Sequence, residues 1–130
     1  MQQTKRRAQI AAMVAPYLTD NEELVTASTV WAARVGQVPL LFRGRHLHLL
    51  ATTGTRLLVF ERRRRRRDAA LPVVDARLDT LDLQRARARP LLYQVLFGLG
   101  DGRRLLFEFR YRDRAAGRAF VRSLRSPREA

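Results

Sequence analysis

The stretch RHLHLLATTGTRLLVFERRRRRRD, residues 45–68, decides the fold of this chain. Two apolar runs flank the pair Thr53-Gly54, and the second run leads into six consecutive arginines, Arg62 to Arg67. The first run alternates its side chains between two faces, which is the period of a β-strand. The second run is apolar on both faces, and a glycine between two such runs is typical of a tight hairpin turn. The stretch therefore predicts antiparallel strands at 45–53 and 55–62, followed by a basic loop.

The rest of the chain continues this strand pattern. Short β-rich or alternating segments, bounded by Gly, Pro and polar residues, predict further strands at 23–34, 71–76, 78–88 (with a start nearer Thr80 as the alternative), 91–99 and 103–111. Short antiparallel strands at this spacing indicate a small barrel or sandwich. The last two strands flank a glycine-rich turn and are predicted to turn one face each toward the core, through Leu91, Tyr93, Val95, Phe97 and Leu99, and through Leu105, Phe107, Phe109 and Tyr111.

A helix is predicted near each end of the chain. Residues 4–18 are predicted to form an amphipathic helix with one apolar face, and Pro16 should end the regular helix near Ala15. This face is expected to dock on the domain itself, with a membrane or a partner protein as the alternative. The second helix follows Asp113, which suits an N-cap, and Gly117 weakens it by ~1 kcal/mol relative to alanine. Its predicted apolar stripe contains Ala116, Ala119, Phe120 and Leu124.

The length and composition indicate one small domain. We expect it to span residues 21–126, after an N-terminal helix and turn (1–20) and before a short tail (127–130). The absence of cysteine excludes disulfides, thiol nucleophiles and thiolate zinc sites. No apolar run approaches the ~20 residues of a membrane span. The N-terminus weakly resembles a signal peptide, but Pro16 interrupts it and no small-residue cleavage site follows, so we expect a cytoplasmic protein.

The chain is strongly basic. Its formal net charge is +14, from 26 basic and 12 acidic residues. Such an excess favours an anionic partner, which can be nucleic acid, lipid headgroups or an acidic protein. Lys5 is the only lysine, which suggests a GC-rich genome that uses arginine at generic surface positions. The charge alone therefore does not choose among these partners.

The order of elements resembles the pleckstrin-homology (PH) fold, in which seven strands form a half-open barrel and one C-terminal helix closes it. HLHLLATTGTRLLVFERR resembles the second and third strands of bacterial PH-like domains, of actinobacterial type. LLYQVLFGLGDGRRLLFEFRYRDRAAGRAFVRSL resembles their last hairpin and helix, and VAPYLTDNEELVTAS the segment before their first strand. The resemblance covers roughly residues 14–125. It implies a mainly β, seven-stranded antiparallel half-open barrel, here with an extra N-terminal amphipathic helix, that serves as a non-catalytic binding or scaffolding module. It implies no cofactor and no particular ligand.

Two sets of arginines are candidates for anion binding. PH domains that bind phosphoinositides carry basic residues at the end of the first strand and the start of the second, and the matching positions are Arg34, Arg43 and Arg45. Guanidinium groups can hold phosphate oxygens through paired hydrogen bonds. The second set consists of Arg62, Arg63, Arg64, Arg65, Arg66 and Arg67. On a PH-like layout the loops that carry the two sets project from the open end of the barrel, opposite the closing helix. The alternative for the second set is a solvated surface loop in an arginine-rich protein.

The loop after the first strand also carries an apolar group, Leu40, Leu41 and Phe42. These residues are candidates for entering the interface of an anionic bilayer, and the alternative is that they pack inward or against a second subunit. His46 and His48 share a strand face, but no third ligand accompanies them, so no metal site is predicted. No serine lies in a nucleophile motif, and we expect no enzyme.

Three functions therefore remain open from the sequence. The first is a PH-like module that its basic loops recruit to an anionic surface, such as the cytoplasmic face of a membrane, or hold in an assembly. The second is nucleic-acid binding through the arginine run, although no aromatic residues are interleaved with the basic stretches to stack on bases. The third is a protein-interaction or oligomerisation subunit that uses the apolar loop and the N-terminal helix.

Overall fold

The structure is a computed structural model that describes residues 2–35, 46–61 and 72–125. The helices are α1 (Gln2–Val14) and α2 (Arg114–Arg125), and short 3-10 turns cover Ala15–Tyr17, Leu78–Thr80 and Tyr111–Asp113. The strands are β1 (Thr26–Val35), β2 (His46–Thr52), β3 (Arg56–Glu61), β4 (Pro72–Arg77), β5 (Asp82–Ala88), β6 (Leu92–Gly98) and β7 (Arg104–Arg110).

The seven strands form one antiparallel sheet in the order β4-β3-β2-β1-β7-β6-β5. The pairing of β1 with both β2 and β7 joins the first four strands to the last three, and the sheet curls into a half-open barrel. This confirms the predicted architecture. The fifth strand begins at Asp82, because the preceding residues form a 3-10 turn that buries Leu78 in the core.

The barrel interior is filled by the inward-facing residues of the strands together with α2. Phe97, Phe107 and Phe120 meet edge-on or tilted, with ring centroids 4.8 to 5.4 Å apart. Such contacts add to the stabilisation from apolar burial. Val121 joins the predicted stripe of α2, and Leu124 lies on it as expected. The helix therefore closes the barrel with its apolar side.

A second apolar cluster lies outside the barrel, between α1 and the first strands. Ile10 and Val14 of α1 pack on Ala51 of β2 and on Leu58 and Phe60 of β3, and all five are fully buried. The helix ends at Val14, two residues before the proline of its C-terminal turn, as predicted. This contact explains why β3 is apolar on both faces. It also shows that the apolar side of α1 docks on the domain itself.

Arg56 on β3 connects the segment after α1 to the sheet. Its guanidinium donates to the Glu22 carboxylate at 2.6 Å, to the Tyr17 carbonyl at 3.0 Å and to the Asp75 carboxylate at 3.0 Å. Burial raises the pKa of Glu22, but hydrogen bonds from the Thr19 amide and from side chains that include Arg56 outweigh it, so the pKa is lowered. The start of β1 is thereby fixed beside the β2–β3 turn.

Two residues expected in the core are exposed. Leu91 is 76% exposed and Tyr111 is 65% exposed, so the predicted alternation fails at these positions. Each lies one residue beyond its strand, past the end of the barrel. The Arg114 guanidinium lies 4.6 Å from the centre of the Tyr111 ring and donates to the carbonyl of Arg89.

Candidate anion-binding end of the barrel

The ends of the first four strands define the candidate site. Ala32 of β1 pairs with His46 of β2, so β1 ends where β2 begins. His48 pairs with Glu61, and Phe60 pairs with Pro72, so β3 ends and β4 begins at the same end of the sheet. The described residues on either side of segments 36–45 and 62–71 therefore lie at one end of the sheet.

Arg34 is the one predicted site residue that falls within the described ranges. Its position alternates with Val30 and Ala32, both of which belong to the barrel core, so Arg34 lies on the inward face of β1. It is nevertheless exposed, because it stands next to the last residue of the strand. The other predicted site residues lie outside the described residues: Arg43, Arg45, Arg62 to Arg67, Leu40, Leu41 and Phe42.

The structure adds Arg104 to this end of the molecule. Arg104 is exposed and pairs across the strands with Val35, the residue after Arg34, so the two arginines lie at one end of the sheet but on opposite faces. Its position was not predicted, because the pairing of β1 with β7 depends on closing the barrel. The Gly-Asp-Gly turn followed by two arginines was the available signal. Arg103 is held at this turn by Asp101, at 2.7 Å.

A cavity of about 210 Å³ opens beside Arg34. His48 and Glu61 supply its other titratable groups, and Val59, Leu105 and Phe107 supply apolar walls. A small polar group could be bound here against Arg34, while Glu61 opposes a second negative charge close to it. Among the described residues, no group of three or more His, Asp or Glu could hold a metal ion. The remaining lining residues are Ala32, Ala33, Val73 and Val74.

The closing helix starts from the other end of the last strand. α2 follows the end of β7, whereas Arg104 at the start of β7 lies beside Val35. No helix in the described ranges is long and apolar enough to cross a bilayer.

A comparison with solved structures identifies the fold class. The chain aligns with a structure described as "Critical structural role for the PH and C1 domains of the Vav1 exchange factor", with a TM-score of 0.56 and 13% sequence identity. The alignment covers 93% of this chain and 32% of that chain, so this chain spans about a third of its length. Together with the seven-stranded sheet and the C-terminal helix, the similarity shows a PH-like fold. No protein-family model and no curated protein matches the chain.

Proposed function

We propose that this protein is a non-catalytic PH-like binding module that attaches to an anionic surface, the cytoplasmic face of a membrane, through the arginines at the open end of the barrel. The observation that carries the proposal is the meeting of strand ends at one place. Exposed Arg34 and Arg104 lie there, and both arginine-bearing segments connect to the same strand ends. Those segments contain Arg43, Arg45 and Arg62 to Arg67.

The strength of such an attachment follows from simple electrostatics. Each arginine near an anionic bilayer contributes ~1 kcal/mol, so four engaged residues supply ~4 kcal/mol, which is sufficient for reversible recruitment. Exposed charges are screened beyond a Debye length of ~8 Å at physiological ionic strength. The attachment should therefore weaken as salt is added. The PH-like fold supports a binding role of this kind, since a binding surface can be grafted on a scaffold without catalytic groups.

Vesicle flotation tests the proposal. We expect the protein to float with vesicles containing phosphatidylserine and to remain unbound with neutral phosphatidylcholine vesicles. Replacing Arg62 to Arg67 with serine should lower the partition coefficient at least ~10-fold, since several kcal/mol of attraction are removed. A control variant of equal net charge carries six serine substitutions elsewhere and should bind much more tightly than the loop variant. Its positions, exposed and away from the open end, are Arg77, Arg89, Arg112, Arg118, Arg122 and Arg125.

Two results would refute membrane attachment through this end. One is equal flotation with neutral and anionic vesicles. The other is equal loss of binding in both serine variants, which would assign the effect to net charge alone. A DNA duplex added as competitor tests the alternative partner. DNA binding falls steeply as salt is added. If DNA nevertheless displaces the vesicles and stays bound near physiological salt, the same arginines bind nucleic acid instead of a membrane.

A further inference from the structure

The described strands form two apolar outer surfaces of the barrel, and α1 packs on one of them. On β3, Leu58 and Phe60 point outward and are fully buried under α1. On β6 and β7, Leu92, Leu96 and Leu106 also point outward, because their neighbours along each strand face the core. These three leucines are half-buried and belong to neither apolar cluster of the described residues. Within the described ranges, this second surface is therefore apolar like the first, but no apolar cluster includes it.

The strand register makes this surface continuous. Leu96 pairs with Leu106 on β7, and Leu106 pairs in turn with Ala33 on β1. In the next outward row, Gln94 pairs with Glu108, and Glu108 pairs with Trp31. We call the outward-facing residues of β5, β6 and β7, together with Trp31 and Ala33 of β1, the β5–β7 outer face. Its apolar part consists of half-buried Trp31, Leu92, Leu96 and Leu106, which lie around buried Ala33.

Arginines border the β5–β7 outer face. On the edge strand β5, Arg85 pairs with Leu96 and Arg87 pairs with Gln94, and both arginines are exposed. On β7, exposed Arg110 lies with its guanidinium carbon 5.6 Å from the centre of the Trp31 ring. An exposed Asp82 lies at one corner, beside Gly98.

The carboxylate within the face is nearly hidden. Glu108 is 7% exposed, and its Oε2 accepts a hydrogen bond of 2.8 Å from the Gln94 side chain. The electrostatic surface presented to a partner is therefore set by the exposed arginines. A binding partner for this face should carry carboxylates around an apolar centre.

We propose that the β5–β7 outer face binds an acidic amphipathic segment of a protein partner. The leucines accept its apolar side chains, and Arg85, Arg87 and Arg110 pair with its carboxylates. A bilayer fits less well, because docking would press the Glu108 carboxylate toward hydrocarbon. A second copy fits less well because each chain carries a charge of +14. Nucleic acid would leave the leucines without partners.

A defined peptide tests this inference. The probe is a synthetic helix of about 18 residues, or ~27 Å at 1.5 Å per residue, with leucine on one face and glutamate on the other. The control peptide has the same composition in scrambled order. We expect the amphipathic peptide to shift the NMR amide signals of Leu92 to Leu96, Leu106 to Arg110 and Trp31, and to bind at least ~10-fold more tightly than the scrambled peptide, a difference of ~1.4 kcal/mol.

Two variants locate the binding. The double variant Leu96→Ser/Leu106→Ser should weaken peptide binding at least ~10-fold. The double variant Arg85→Ser/Arg87→Ser should weaken it to the same extent. This second variant changes exposed residues and leaves the core intact. The serine variant of Arg62 to Arg67 should bind the peptide as the wild type does, which separates this inference from membrane attachment. Equal binding of the two peptides, or signal shifts confined to the open end, would overturn the inference. So would shifts of the Leu92, Gln94 and Arg110 amides when phosphatidylserine vesicles are added to the serine variant of Arg62 to Arg67, or a dimer in light scattering that the Leu96 and Leu106 substitutions dissociate.

Discussion

Gly117 fixes the distance between α2 and the barrel. A Cβ added at this position would lie 2.6 Å from Tyr93 Cδ2 and 2.9 Å from Phe109 Cδ1. Both residues are buried, and the Phe109 ring is further packed against Phe107 and Phe120, which limits how far it can move. The glycine that lowers helix propensity is thus the residue that lets the helix approach the sheet.

We expect Gly117→Ala to destabilise the protein by about 1–2 kcal/mol. Overpacking costs ~1–3 kcal/mol, which exceeds the gain in helix propensity of at most ~1 kcal/mol. Urea denaturation measures the difference. The control is Ala115→Gly on the exposed side of the same helix, where only propensity changes. An alanine variant more stable than the wild type would show that α2 stands farther from the barrel.

Asp113 is a buried carboxyl at the start of α2. It is 7% exposed, and its Oδ2 has no hydrogen-bond partner within the described part of the chain. Burial raises the pKa of Asp113, and the charges of Arg6, Arg112 and Arg110 and a hydrogen bond from Thr29 oppose this only in part. The folded state therefore binds this proton more tightly than the unfolded chain does. Its contribution to stability is fully present at low pH and is lost as the pH rises through the folded pKa.

Asp113→Asn should reproduce the protonated form at every pH. We expect the variant to gain stability relative to the wild type as the pH rises from 3.8, the ordinary pKa of an aspartate carboxyl, toward neutrality. Urea denaturation at a series of pH values measures this change. The control, Asp101→Asn, should show the opposite trend, because a hydrogen bond from the Arg103 amide lowers the pKa of Asp101. A stability difference for Asp113→Asn that stays constant with pH would contradict the assignment.

Helix α1 packs on the outer side of β2 and β3. We expect Ile10→Ala to cost about 2–5 kcal/mol, because it opens a cavity against fully buried Leu58 and Phe60. The matched control is Gln9→Ala on the exposed side of the helix, which should change stability by less than ~0.5 kcal/mol. Chemical denaturation compares the two. If both variants unfold at the same denaturant concentration, α1 does not cover the sheet.

Local periodicity predicted the seven strands and both helices of the chain. The apolar runs and glycine turns are local signals, and the hairpins β2–β3 and β6–β7 depend on them. The exposure of Leu91 and Tyr111 was missed, because alternation gives the face of a side chain but not where the barrel ends. The docking of α1 on the domain was predicted, but its contact of Ile10 with Phe60 and the row through Trp31 were not, since each joins segments far apart in sequence. The placement of Arg104 at the same end of the sheet as Arg34 was missed for the same reason.

The pairing of β1 with β7 also sets the order of events during synthesis. Val35 and Arg104 pair across about 70 residues, and ribosomes add ~5–20 residues per second. The first strands therefore wait ~4–14 s for the strand that closes the barrel. Such non-local pairing is typical of slowly folding β proteins. The apolar strands made early thus depend on α1, which precedes them, for the first protection that the growing chain can give.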